Sequence, residues 1–232
     1  MKRQSSTFVD LLFGIVIPSI ILMKFSDADA LGPRDALIVA LAFPAALGLF
    51  ELVRFKTTNY IALLGLVSVL LTGGIGLLQL DTQWLAVKEA AIPAVLGIAT
   101  IASAWIGKPL IRILVYNSGL FDTDKITEAL EQRGHLERFN TQLTKSTYLL
   151  SSTFFFSAVM NYLLASWIVT SPSGSPAFNE ELGQLTLLSY PVIAIPSTVM
   201  MLAILYFLWR KTHAMTGLEL ESVLAPSLSD KD

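Results

Sequence analysis

Lys88 and Glu89 stand side by side inside an apolar run from Trp84 to Ile106, and an ammonium next to a carboxylate at such a place is the first candidate for chemistry. Ionisable groups in hydrocarbon are costly and rare, so each is a functional candidate until a plainer role explains it. A helix turns about 100° per residue, so the two side chains are expected to diverge and not to pair. Lys88 would then run its stem outward to anchor the outer interface. Glu89 lacks that reach and should face the helix bundle or find a donor, where it would serve as a charge relay or solute contact. Asn161 is the deepest neutral polar residue. An interhelical hydrogen bond worth about 0.6 kcal/mol is its plainer reading, and a substrate contact the sharper one.

Hydrolytic chemistry fails by elimination. A zinc protease helix needs His-Glu-x-x-His, and a serine hydrolase needs a histidine beside its serine. The two histidines, His135 and His213, both fall outside the apolar runs, and there is no cysteine for a thiolate site. Gly73-Gly74-Ile-Gly76 lies within an apolar run, where close helix approach explains it better than phosphate binding. No enzyme activity, cofactor or metal is expected, and a net charge of −2 suggests no nucleic-acid partner.

Prolines interrupt the apolar runs at Pro18, Pro44, Pro93, Pro191 and Pro196. Each removes a backbone donor and frees a carbonyl. Pro18 and Pro93 fall at similar depth in the first and fourth runs, within Ile17-Pro18-Ser19 and Ile92-Pro93-Ala94. With three spans per half, that pairing is the arrangement that marks transporter sites at broken helices.

The elements that would position these groups follow from composition. Hydrophobic residues make up 53% of the chain and charged ones only 15%, with a mean hydropathy of +0.63, too apolar for a water-soluble fold of this length. A helix needs roughly 20 apolar residues to cross a bilayer. Six runs qualify: Phe8–Phe25, Ala36–Val53, Tyr60–Leu80, Trp84–Ile106, Tyr148–Val169 and Leu185–Trp209. The first lacks a cleavage site and reads as a retained span. Trp84 and Trp105 bracket the fourth like anchors at two interfaces. Placing the N-terminus in the cytoplasm leaves only Lys24, Arg34 and Lys88 of the 16 lysines and arginines outside, which favours six spans with both termini inside. The expected fold is therefore an all-α, polytopic transmembrane bundle over residues 1–216, followed by a tail at 217–232 without fixed structure.

The one long polar connection, residues 107–146, falls on the cytoplasmic side. Asp122-Thr-Asp124 reads as a helix start, with Ile126, Ala129 and Leu130 on one face and Leu136, Phe139 and Leu143 on another. The phase slips at Gly134, which predicts two short amphipathic helices. Packing against the chain's own spans is the plainer reading. Docking a partner or lying on the membrane surface are the alternatives.

Gly73-Gly74-Ile-Gly-Leu-Leu-Gln-Leu-Asp81-Thr-Gln-Trp84-Leu-Ala-Val-Lys88 resembles the signature of the intracellular septation protein A family of bacterial inner-membrane proteins. Phe156-Ser-Ala-Val-Met-Asn161-Tyr162-Leu-Leu-Ala165 resembles that family's fifth-span pattern. The family's proline after the lysine is replaced here by Glu89, with Pro93 four residues on. The resemblance implies a bacterial inner-membrane protein tied to envelope integrity or division. It implies no enzyme, and it carries over Gly73, Gly74, Asp81, Lys88 and Asn161 as shared residues. The expected partners are the lipid bilayer and, through residues 107–146, other envelope or division membrane proteins. The competing expectation is a small-solute or ion transporter with Glu89, Asn161 and the breaks at Pro18, Pro93 and Pro196 around a polar site.

Overall fold

The computed structural model describes residues 11–55, 60–117 and 122–219. The regular structure of those residues is all helical, with no strand among them. Eight helices follow in order: α1 Leu12–Lys24, α2 Gly32–Phe55, α3 Tyr60–Leu77, α4 Gln83–Trp105, α5 Leu110–Asn117, α6 Thr123–Gln132, α7 Leu136–Ile168 and α8 Pro176–Thr216. Among the described residues, four helices are long and apolar enough to cross a membrane: α2 over Gly32–Phe50, α4, α7 and α8. Two shorter apolar stretches, Leu12–Lys24 and Leu63–Leu77, coincide with the first and third apolar runs. The expected tail lies outside the described residues from 220 onward, as do the first residues of the Phe8–Phe25 run.

Helix ends follow local chemistry. At the end of α4, Gly107 takes φ +73°, and Lys108 N–H donates to Ser103 O at 2.9 Å, a left-handed termination that suits a residue without Cβ. Gly134 closes α6 the same way, with φ +64° and His135 N–H donating to Leu130 O at 2.9 Å. Asp122 and Ser175 cap α6 and α8 by accepting from Lys125 N–H at 3.2 Å and Phe178 N–H at 3.1 Å.

The chain divides into two compact units, Met1–Ile92 with Ser157–Ile195, and Pro93–Phe156 with Pro196–Asp232. The first unit buries Leu37, Ile75, Leu85, Ala165, Phe178 and Leu182 in one cluster. The second buries Ile111, Ile126, Leu130, Phe139, Leu143 and Leu208 in another.

The break at Gly134 falls where the sequence placed it, but the second short amphipathic helix does not exist as a separate element. Residues 136–146 are the opening turns of α7, which runs unbroken for 33 residues, about 50 Å. Nothing between Leu136 and Ile168 interrupts it, because the stretch contains neither glycine nor proline. The two apolar faces predicted to differ are buried in one cluster, Ile126 and Leu130 with Phe139 and Leu143.

Candidate functional site

Lys88 is buried and turns inward, contrary to the expected outward reach. Its Nζ donates to Thr72 Oγ1 at 2.8 Å and to Ser68 Oγ at 3.2 Å, both on α3, and lies 2.6 Å from Glu89 Oε1. An ammonium has three protons, and three acceptors surround this one. The expected divergence from Glu89 is also corrected. Cβ atoms 100° apart do not prevent a four-carbon stem from folding back until its end meets the neighbouring carboxylate. An unpaired ammonium in such a setting would carry a desolvation cost of several kcal/mol, which drives that fold-back. The Glu89 side chain keeps 27% of its surface exposed.

Local sequence builds this cluster. Ser68 and Thr72 are four residues apart and so share one face of α3. Thr72 donates its own proton back to Ser68 O at 3.1 Å, which leaves its lone pairs for the ammonium. Pro93 lies within α4 and has no N–H, so the carbonyl of Glu89 one turn earlier loses its helical donor. A carboxylate, a freed carbonyl, two hydroxyls and an ammonium thus lie on neighbouring stretches of two apolar helices. Chemically, the group gathers acceptors around one cation and so could exchange that cation for another.

The other expected residues behave differently. Among the described residues Asn161 does not join helices: its Nδ2 donates to Ser157 O at 2.8 Å and Ser157 Oγ at 3.3 Å, one turn back in its own helix. Asp81 Oδ1 accepts from Gln83 N–H at 2.8 Å and so helps start α4. Of the paired glycines, a Cβ on Gly73 would meet Leu41 Cδ1 at 3.2 Å, but one on Gly74 would meet nothing within 4 Å. The tighter approach is at Gly76, 2.5 Å from Leu37 Cδ2.

Pro18 and Pro196 each follow a five-residue π turn, Leu12–Val16 and Tyr190–Ala194. The proline motif that matches Ile17-Pro18-Ser19 most closely is Ile195-Pro196-Ser197, and the pairing with Ile92-Pro93-Ala94 is weaker. Ser19 Oγ and Ser197 Oγ are both buried without a hydrogen-bond partner among the described residues.

Asn179 is a polar centre absent from the sequence reading. It is fully buried, and its Nδ2 donates to Pro33 O at 2.7 Å and Ser26 Oγ at 3.0 Å, tying the start of α8 to the α1–α2 connection. Nearby, Glu181 accepts from the N–H groups of Thr170 and Ser171 at 2.9 and 2.8 Å, which closes the α7–α8 connection. A cavity of about 400 Å³ opens at this end, lined by Ser26, Asp27, Ser175 and Glu180 among others. Neither Lys88 nor Glu89 lines it. The signal for Ser68, Thr72 and Asn179 was available as polar residues within apolar or amphipathic helices. Their partners lie 16 to 153 residues away and are not readable from spacing.

No family model, no curated protein and no solved structure matches the chain.

Proposed function

We propose that the chain is a bacterial inner-membrane protein of six spans with both termini in the cytoplasm, and that it carries a small solute or ion past a polar site at Lys88 and Glu89. The single observation behind this reading is the buried Lys88 ammonium, held by Ser68, Thr72 and Glu89 inside apolar helices. Buried ion pairs gain little net stability over apolar packing, so a cost of this kind favours a use beyond holding helices together. Glu89 is the member of the cluster left partly uncovered by the protein's own packing, and it supplies one of the three acceptors on Lys88.

The topology rests on the six apolar runs and the lopsided placement of lysine and arginine. Because the chain has no cysteine, single cysteines at Ser5, Asp29, Lys108 and Ser173 report sidedness directly. Labelling of positions 29 and 173 only from outside, and of 5 and 108 only from inside, is expected. The reverse pattern at any position overturns six spans with both termini inside.

Flux tests the transport reading. Proteoliposomes holding the wild type should move at least one member of a panel of protons, alkali cations and small amines, and Glu89→Gln should lower that flux at least tenfold. Equal flux in the wild type, the variant and empty vesicles would sink it.

A second reading follows the resemblance to the septation protein A family: a non-enzymatic envelope or division protein that works through other membrane proteins. The observation in its favour is that only 17–33% of each long apolar window is buried within the chain, which leaves helix surface for other spans. Residues 107–146 offer it less, since Ile126, Leu130, Phe139 and Leu143 are consumed in their own core. In-cell crosslinking from Val95 or Leu202, both exposed, should then capture discrete membrane partners. Crosslinks to lipid alone would dismiss this reading.

A further inference from the structure

We propose that the second unit binds anionic phospholipid headgroups at the corner where α4 turns into α5, with Lys108 and Lys145 as the contacting cations. The proposal rests on the six-span reading only in placing that corner at the cytoplasmic leaflet.

Three helices of this unit change from exposed apolar to exposed basic residues along their length. On α4, Trp105 is 76% and Ile106 70% exposed, and exposed Lys108 follows the Gly107 turn. On α7, exposed Lys145 is succeeded by Tyr148 and Leu149, both exposed. On α8, Leu202 and Tyr206 are exposed and give way to exposed Arg210 and Lys211. Hydrogen bonds set the first two changes at one level. Ile111 N–H donates to Thr147 Oγ1 at 3.5 Å, and Arg112 Nη2 donates to Asn140 Oδ1. Lys108 lies three residues before Ile111, and Lys145 two before Thr147. The third change falls at the same cluster, because Leu208 packs with Ile111 and Leu143. An aromatic belt followed at once by cations is how a protein meets the headgroup layer.

Charge selects the occupant. Residues 93–121, 138–156 and 196–218 contain no Asp or Glu, so the acids of this unit's helices are confined to 122–137, on α6 and the first residues of α7. Among the described residues, neither Lys108 nor Lys145 makes an ion pair. Unpaired cations at an aromatic boundary, with the acids of these helices set apart on 122–137 and Glu219 beyond the end of α8, complement an anionic lipid surface. The turn itself is rigid, since Ser103 Oγ accepts from Leu110 N–H at 3.0 Å while donating to Thr100 O at 2.6 Å. The lysines are therefore presented without an ordering cost in the backbone.

The test is a lipid titration of the purified full chain in micelles, read by native mass spectrometry, with phosphatidylglycerol against phosphatidylcholine. Phosphatidylglycerol should bind more tightly, and the preference should fall with salt. Each cation at an anionic surface contributes about fivefold, so Lys108→Gln with Lys145→Gln should lower the preference on the order of thirtyfold. Both positions are exposed, so the variant should keep the wild-type melting temperature in phosphatidylcholine micelles. Lys24→Gln with Lys125→Gln removes the same charge elsewhere and should leave the preference intact. Equal binding of the two lipids, or equal loss in the control variant, overturns the proposal. If the preference behaves as stated but Lys108→Cys is labelled only from outside, headgroup binding stands and the six-span orientation falls. If labelling is from inside and the preference is absent, this inference alone fails.

Discussion

Lys88 Nζ lies 2.8 Å from Thr72 Oγ1, so the ammonium of one apolar helix is held by a hydroxyl of the helix before it. With Ser68 and Glu89 completing the set, α3 and α4 of the first unit are joined by a polar contact inside apolar surroundings. Removing one member leaves another without its partner, and the consequences differ by member.

Lys88→Met should destabilise the protein by roughly 1–3 kcal/mol, below the usual cost of breaking a buried pair because Glu89 is only partly buried. The double variant Lys88→Met with Glu89→Gln should recover part of that loss. Thermal melting in micelles across the four-member cycle checks this, and strictly additive losses would mean the pair does not interact.

Helix approach separates the glycines. Gly183→Ala should cost roughly 1–3 kcal/mol, since its Cβ would lie 3.0 Å from Ser19 O, a backbone atom that cannot step aside. Gly74→Ala should instead be neutral or stabilising by up to about 1 kcal/mol, because the site is open and alanine favours the helix. Melting temperatures moving in opposite directions support this, and a large loss at Gly74 would contradict the packing.

Asn179→Ala should lower stability by roughly 1–3 kcal/mol, because Pro33 O loses its donor in a buried setting. Asn179→Asp should be worse, placing an acceptor against that carbonyl. Hydrogen exchange at the α1–α2 connection should quicken in both variants. Unchanged protection there would show that the tie is dispensable.

Acid should loosen α6 before the other helices. The backbone N–H of Lys125, and then its side chain 3.1 Å away, hold the Asp122 carboxyl below its ordinary value of 3.8. A lowered folded value means the cap's contribution is fully present above the ordinary carboxyl range and disappears as pH falls through the lower folded value. Exchange at Asp124–Ile126 should therefore accelerate as pH is taken from 5 to 2.5, after correction for the intrinsic rate, and Asp122→Asn should flatten that dependence. An identical profile in the variant would remove Asp122 as the cause.

Much of the helical framework was legible because it depends on local quantities. Apolar run length marked the helices, Asp122 and Gly134 marked a start and a stop, and the lack of glycine and proline from Leu136 to Ile168 encoded the unbroken α7, although the phase slip at Gly134 pointed to a second short helix. The repeat of Ile-Pro-Ser at positions 17–19 and 195–197 was also in plain view.

The site was legible only as residue types. By itself the sequence determined that this is a helical chain with long apolar segments and that charged side chains within them need partners, since the cost of burying a charge is a property of the residue and its surroundings. Tertiary structure alone decided that Lys88 turns inward to Ser68 and Thr72, that Glu89 folds against it and that Asn161 stays within its own helix. Those choices depend on which acceptor lies within about 3 Å once helices are packed. Spacing along a chain cannot encode a distance between side chains 16 or 20 residues apart, because it depends on how two helices turn their faces toward each other.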